Sequence, residues 1–420
     1  MKKTVTQTFD VIVAGGGAAG MMAAGTAAQN GLRTLLLEKN ERPGRKLMIT
    51  GKGRCNVTNN CPAQTVIDSA PTNGRFLYSA VSRFPPSRVM KFFEALGVPL
   101  KTERGGRVFP QSDRAADVVD ALARFLRKNG VLTVHGTVSG LLLAENAVSG
   151  VVLEDGRKFF APHVIVACGG VSYPGTGSTG DGYRLARQAG HTVTPLRPSL
   201  VPLIGGDGDC AQMQGLALKN IAVKVFDRVK GKVIYEDFGE MLFTHFGLSG
   251  PVILSASSHM REMSPGRYRV LIDLKPALSP ERLDARLQRD FEKYQNRNFI
   301  NSLHDLLPAK MIPVMVSKSG IPPETKCNSI EREQRLAFAA LLKEYPVEIR
   351  SFRPIEEAIV TSGGVNVREV DPKTMASKLV RGLSFAGEVL DVDAYTGGFN
   401  LQIAFSTGRL AANSIEGETI

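Results

Sequence analysis

The sequence reads as an α/β protein in which one nucleotide-binding domain is built from both ends of the chain and interrupted by an insertion. Three observations lead there. A glycine-rich turn sits between two short apolar runs near the start of the chain. Glycine-and-apolar texture stops near Pro195 and resumes near Glu356. The stretch between them is first rich in prolines, glycines and alternating strands, then charged and helical.

The elements follow in order. Val11–Ala14 is a short apolar run ending in glycines, as a buried parallel strand does. Gly15, Gly17 and Gly20 fit G-x-G-x-x-G. The first glycine permits a tight turn, the second a close approach of backbone to a pyrophosphate, the third close packing of helix on strand. Ala18–Asn30, with Ala18 and Ala19 at its start, reads as a helix of small residues whose first N–H groups face phosphates. Leu35–Leu37 is the next strand. Glu38 closes it at the spacing of the acid that hydrogen-bonds a ribose hydroxyl, which favours FAD or NAD over NADP.

Residues 43–59 read as a long polar loop whose glycines and cations point to function. Residues 87–97 and 114–129 carry helical spacing. Val131–Val134, Val138–Leu143, Val151–Leu153 and Lys158–Phe160 read as strands of a smaller sheet, and His163–Ala167 as another buried strand ending in Cys168-Gly169-Gly170. Gly175, Gly177 and Gly180 form a second G-x-G-x-x-G. The strand before it ends too far upstream for a tight turn and no acid follows in register, so it reads as a loop leading into a helix over 181–190. Ile221–Phe226 alternates as a strand, and residues 346–353 read as an exposed strand. Gly397-Gly398-Phe399-Asn400 precedes a helix over Leu401–Ala412. The expected domains are 1–196 with 353–420 for the nucleotide, 197–276 with 345–352 as a β-rich insert, and 277–344 as a helical subdomain.

Bulk properties narrow the class. The 420 residues exceed one simple core, and 43% hydrophobic with 22% charged is ordinary for a soluble globular chain. No apolar run reaches the length of a membrane span. Lys2-Lys3 and the following apolar stretch mimic a signal peptide, but the apolar core is the glycine turn itself, so a cytoplasmic protein is expected. The five cysteines (Cys55, Cys61, Cys168, Cys210, Cys327) are scattered with no C-x-x-C, and the histidines show no ligand spacing; disulfide frameworks and metal sites are not expected. Net charge is +12, and residues 1–110 carry 16 Lys and Arg against 6 Asp and Glu. That excess goes beyond one pyrophosphate and suggests an anionic partner or a solvated basic face.

Together these segments resemble the BaiN/RdsA-type (YhiN-like, aminoacetone oxidase-like) family of NAD(P)/FAD-dependent oxidoreductases. The matching stretches are the N-terminal glycine motif, Pro43–Lys46 with Gly51–Asn56, Ala167–Gly170, Thr179–Gly182, Leu242–His245 with Gly247–Pro251, Thr361–Val365, and Gly387-Glu388 through Asn400. The resemblance implies a two-dinucleotide-binding (Rossmann-like, glutathione-reductase-type) FAD domain with a β-rich insert and a helical subdomain. It implies non-covalent FAD, with NADH or NADPH as a transient reductant. It assigns Gly15, Gly17, Ala18, Ala19 and Gly20 to the pyrophosphate, Glu38 to the adenosine ribose, and the backbone of Val138 to adenine. Lys39, which follows Glu38, is counted with the cofactor-binding residues, as are Gly53, Arg54, Cys55, Asn56, Ala167, Gly169, Gly170, Asp181 and Gly387 of the matching motifs. Arg45 and Lys46 are either phosphate neighbours or surface cations. Glu388 and Asp391 fall on the ribityl chain. Gly398 leads into the helix start, where Asn400, Leu401 and Gln402 face the flavin edge that gains negative charge on reduction. Cys55 and His245 are the candidate catalytic acids. The expected activity is reduction of a C=C bond, the favoured substrate a uridine of ribosomal RNA. Alternatives are a small-molecule enone reductase, an amine oxidase, or a non-catalytic flavin-binding protein that interacts with RNA.

Overall fold

The computed structural model describes residues 8–415. Lys2 and Lys3, part of the leader-like stretch and of the basic excess, lie outside the described residues. The chain divides into two compact units. One comprises the residues up to Ser199 and those from Ile355 onward; the other runs from Leu200 to Pro354.

The first unit is built on a five-stranded parallel sheet. Its order is Leu383–Phe385, His163–Val166, Val11–Ala14, Thr34–Glu38, Leu132–His135. Val11–Ala14 is central and wholly buried, which explains its unbroken apolar run. Leu35, Leu36 and Leu37 are buried beside it, each worth about 1.5–3 kcal/mol of transfer. The strand expected over Val131–Val134 joins this main sheet as its edge rather than a smaller one. The other three expected strands do form a separate sheet, Val138–Ala144, Ala147–Leu153 and Lys158–Phe160. Periodicity reports which faces are buried, not which neighbour covers them.

The helix Ala18–Gln29 packs on the C-terminal helix Phe399–Asn413 through small residues. A Cβ at Gly408 would stand 2.3 Å from the Ala19 carbonyl oxygen, and one at Gly25 would stand 2.2 Å from the Phe125 ring. The small-residue texture of the first helix is therefore a packing requirement on two sides. Helices Pro86–Ala95 and Ala115–Lys128 fall within two residues of expectation. The loop expected over 43–59 is partly helical, with Arg45–Ile49 as a short helix and Thr50–Gly53 as a 3₁₀ turn. One turn has too few residues to show a period.

The second unit is a closed antiparallel barrel. Its strands run in the order Leu203–Gly205, Gly247–Ser249, Lys232–Thr244, Ala217–Asp227, Tyr268–Asp273, Tyr345–Phe352, and the last pairs back with the first. Tyr345–Phe352 is thus not the exposed strand expected for 346–353. Tyr345, Val347 and Ile349 face the barrel core, and its alternating charges occupy the other face. The helices Pro280–Lys293, Ile312–Ser319 and Arg332–Lys343 share one core with the barrel, so 277–344 is not a unit of its own. Arg197–Ser199 pairs with Val360–Ser362 and belongs to the first unit. Among the described residues, no helix is long and apolar enough to cross a membrane, and no three His, Cys, Asp or Glu groups gather as a metal site.

Candidate functional site

The three glycines of the first turn do three different jobs, each visible in the backbone. Gly15 has φ +102°, and a Cβ there would stand 2.6 Å from the Ala167 carbonyl oxygen. A Cβ on Gly20 would collide with the Gly15 carbonyl oxygen at 1.8 Å. Gly17 has an ordinary φ of −78° and meets nothing within 4 Å of an added Cβ. Neither strain nor packing demands glycine there. What it preserves is open space over the N-terminus of the Ala18–Gln29 helix, the place where a pyrophosphate lies against helix N–H groups. Ala18 and Ala19 supply the first turn of that helix.

Glu38 is buried at the end of its strand. One carboxylate oxygen accepts from the Gly16 N–H at 2.7 Å, the other from the Asn40 N–H and side-chain amide, both at 2.7 Å. Its backbone ties, not only its spacing, hold it beside the glycine turn. Lys39 binds Asp181 at 2.7 Å and Thr179. Burial alone would raise the Asp181 carboxyl, but Lys39, Thr179 and Arg184 together hold it below the ordinary carboxylate range. The Val138 carbonyl accepts from Arg184 at 3.0 Å, so Lys39, Asp181, Arg184 and Val138 form one chain of contacts. The second glycine motif is a 3₁₀ turn leading to the helix Asp181–Gln188, as its context implied.

Lys46 and Arg45 part company. Arg45 is exposed and, among the described residues, reaches only the Asn40 side chain. Lys46 pairs with Glu388 at 2.8 Å and donates to Ser172 at 2.7 Å. Glu388 also accepts from Ser172 Oγ at 3.1 Å and from the Thr361 N–H at 2.9 Å. A Cβ on Gly170 would strike Thr361 Oγ1 at 2.4 Å and Glu388 Oε1 at 2.9 Å, so that glycine makes room for the network. Gly169 has φ +74° and Gly387 φ +78°. Ala167 is buried against Gly15, and the Asp391 carbonyl accepts from Asn73 at 2.7 Å.

The C-terminal helix begins at Phe399, two residues before expectation, because Gly398 supplies a left-handed cap at φ +98°. Gln402 N–H already bonds the Gly398 carbonyl at 3.1 Å. Its side chain is buried among Thr58, Phe84 and Ser406. Gln402 is therefore a packing residue and not one of the donors expected at the helix start. Asn400 spends its side chain on the Ala394 N–H and carbonyl and the Tyr395 carbonyl. The groups left at the helix N-terminus are the backbone N–H groups of Phe399, Asn400 and Leu401. Beside them, Asn56 Oδ1 is buried without a partner among the described residues, close to the Gly398 Cα, where an added Cβ would stand 2.9 Å from it.

Cys55 occupies a left-handed position at φ +61° in a loop that also holds Gly51, Lys52 and Gly53 at positive φ. Its side chain is wholly buried, and burial pushes the thiol up to about 12. Burial keeps that thiol protonated at neutral pH and closes it off from solvent, whereas an acid that serves a substrate has to reach it. Arg54 stacks on Phe109 at 4.1 Å and pairs with Glu103 and Asp113; it braces the loop. His245 is exposed on the Thr244–Gly247 turn of the barrel unit, its ring 5.0 Å from Phe246. Sequence reasoning missed Ser172 and Thr361 as network members. Thr361 sits inside a motif that matched and Ser172 two residues beyond one, but only the folded chain brings positions 46, 172, 361 and 388 together.

The model of the HI0933-like protein Rossmann domain matches residues 9–414. The 3-dehydro-bile acid delta(4,6)-reductase of Clostridium scindens is 33% identical over 96% of this chain and 98% of its own length. The ribosomal RNA dihydrouridine synthase of Escherichia coli is 32% identical over 97% and 98%, and that of Haemophilus influenzae 30% identical over 98% and 99%. Among solved structures, the 3-ketosteroid delta1-dehydrogenase of Sterolibacterium denitrificans superposes with a TM-score of 0.53 at 15% identity, covering 97% of this chain and 99% of that one, a likeness of fold alone. With the family model spanning nearly the whole chain and three enzymes at this similarity, the protein belongs to the HI0933-like Rossmann family and is an oxidoreductase.

Proposed function

We propose that this protein is a FAD-dependent enzyme that uses NADH or NADPH to reduce a C=C bond, and that its substrate is a uridine of ribosomal RNA, giving dihydrouridine. FAD, when bound, supplies the hydride chemistry. The chain's own residues do the rest. The open space at Gly17 and the helix behind it take the pyrophosphate. Glu38 is held where a ribose hydroxyl can donate to it. Glu388, fixed by Lys46, Ser172 and Thr361, presents a carboxylate to a polyol chain. The N–H groups of Phe399, Asn400 and Leu401 face a developing negative charge. His245 is proposed as the acid that protonates carbon, because its ring is exposed and Cys55 is shut in.

Identity does not choose between the bile acid reductase and the RNA enzymes, at 33%, 32% and 30%. Charge does. The observation that carries the RNA reading is the excess of 16 cationic over 6 anionic residues in the first 110. A small enone with a single carboxylate, as a bile acid has, needs far less of such a field than an RNA backbone, which is drawn by it. The test is incubation of the enzyme and NADPH with ribosomal RNA from a strain lacking the gene, followed by mass analysis of nucleosides. A gain of two hydrogens on one uridine supports the reading. Turnover of a small enone with no product on RNA replaces it with the small-molecule reductase. The same preparation should be yellow and release FAD, not FMN, on denaturation.

A further inference from the structure

Three cations lie on the loops around the start of the C-terminal helix with no ion pair of their own among the described residues. The turn Arg104–Gly106 joins the short strands Leu100–Thr102 and Arg107–Pro110. Asn59 ties that turn to the helix start, donating to the Gly105 carbonyl at 2.9 Å and the Gly397 carbonyl at 3.0 Å. The Thr50–Asn56 loop closes the other side. A Cβ on Gly51 would lie 3.3 Å from the Phe109 ring, the same ring on which Arg54 stacks, and one on Gly398 would lie 2.9 Å from Asn56 Oδ1. Arg104, Arg107 and Lys52 are all exposed on these loops.

The carboxylates nearby are already taken. Glu103 and Asp113 pair with Arg54 and Lys101. Lys52 and the Arg104 guanidinium have no partner among the described residues; Arg107 donates to the Arg104 carbonyl at 3.1 Å, lies 6.0 Å over the Phe109 ring and helps hold the Glu103 carboxyl low, without forming an ion pair. Lys52 moreover holds a left-handed backbone, φ +59°, between two glycines at φ +57° and +83°. A non-glycine residue in that region costs on the order of 1 kcal/mol and persists where its surroundings impose it. Here the strained loop carries a free cation to the rim of the helix start. Ion pairing has been spent on bracing the loops and withheld from their rims, an arrangement that suits a polyanion.

We propose that Lys52, Arg104 and Arg107 form a phosphate-gripping lip that holds the RNA strand on either side of the nucleotide presented at the Phe399–Leu401 helix start. The lip rests on the RNA reading of the function and adds to it where the strand runs. A lip of this kind gives affinity and register without reading sequence. Each phosphate contact on a single strand releases condensed cations and steepens the salt dependence of binding by about 0.7 in log–log slope.

The experiment measures binding of a labelled large-subunit ribosomal RNA fragment to the flavin-loaded protein as salt is varied. The triple variant Lys52→Ala, Arg104→Ala, Arg107→Ala should lose about 2 units of slope, with its thermal melt unchanged. The pair Arg104→Lys, Arg107→Lys should keep the slope, since a lysine also contacts phosphate. The pair Lys230→Ala, Lys232→Ala, exposed on the barrel unit, should keep it too. Dihydrouridine formation by the wild type is scored in parallel. If the wild type makes dihydrouridine but the triple variant binds with the wild-type slope, the lip is wrong and the function stands. If the wild type neither binds the RNA in a salt-dependent way nor modifies it, both fall.

Discussion

At the residue scale, the two glycines Gly17 and Gly20 separate binding from folding. Gly17→Val places its side chain in open space with an ordinary φ. The expected outcome is a protein that folds and melts like the wild type but is colourless after purification. Gly20→Ala instead drives a methyl group 1.8 Å from a backbone oxygen. It should lower stability by about 1–3 kcal/mol or more, as overpacking does, and reduce soluble yield. A Gly17→Val protein that stays yellow would refute the pyrophosphate assignment.

His191 offers a second residue-scale test. It is buried, with Nδ1 3.2 Å from Glu369 and Nε2 2.7 Å from Ser377, and its ring lies edge-on to Phe385. Burial lowers its pKa, against the opposing pull of Glu369. The unfolded chain therefore takes up the proton first as pH falls through about 6.5. Stability should drop from there, and the loss should level off once the lower folded value is passed. His191→Asn should flatten this part of the melting-temperature profile between pH 7.5 and 5.5. Parallel wild-type and variant profiles would show that the group does not titrate in this way.

At the element scale, the C-terminal helix is anchored by Gln402. Its amide accepts from Thr58 Oγ1 at 2.6 Å and donates to the Phe84 carbonyl and Ser406 Oγ, both at 2.8 Å. Gln402→Leu leaves several buried polar atoms unpaired. A loss of about 1–3 kcal/mol is expected for each group so stranded, read by chemical denaturation, with weakened FAD retention because the helix start shifts. Unchanged denaturation would mean the network relaxes onto other partners.

At the scale of the whole molecule, each unit has its own buried core. Ser199 pairs with Val360 in an antiparallel ladder, so the two crossings from one unit to the other leave from adjacent strands. Replacing residues 200–354 with a short turn should leave a folded, FAD-binding unit. If His245 is the acid proposed above, that unit should also lack turnover. The measurements are the flavin spectrum, the thermal melt and nucleoside analysis. An insoluble product, or one without flavin, would show that the first unit depends on the second.

The sequence by itself determined the buried parallel strands, the glycine turn with Glu38, the interruption of the first domain and the family. These are local signals: a run of apolar residues, a fixed spacing, a change of texture. Only the tertiary structure decided that Leu132–His135 edges the main sheet, that Tyr345–Phe352 closes a barrel instead of lying exposed, and that Cys55 is sealed. It also decided that Gln402 is structural and that Lys46 meets Glu388 across 342 positions of chain. The physical reason is the same in each case. Backbone propensity and pattern act over a few residues, whereas burial and pairing depend on which distant segment arrives to cover a side chain or to claim its hydrogen bonds.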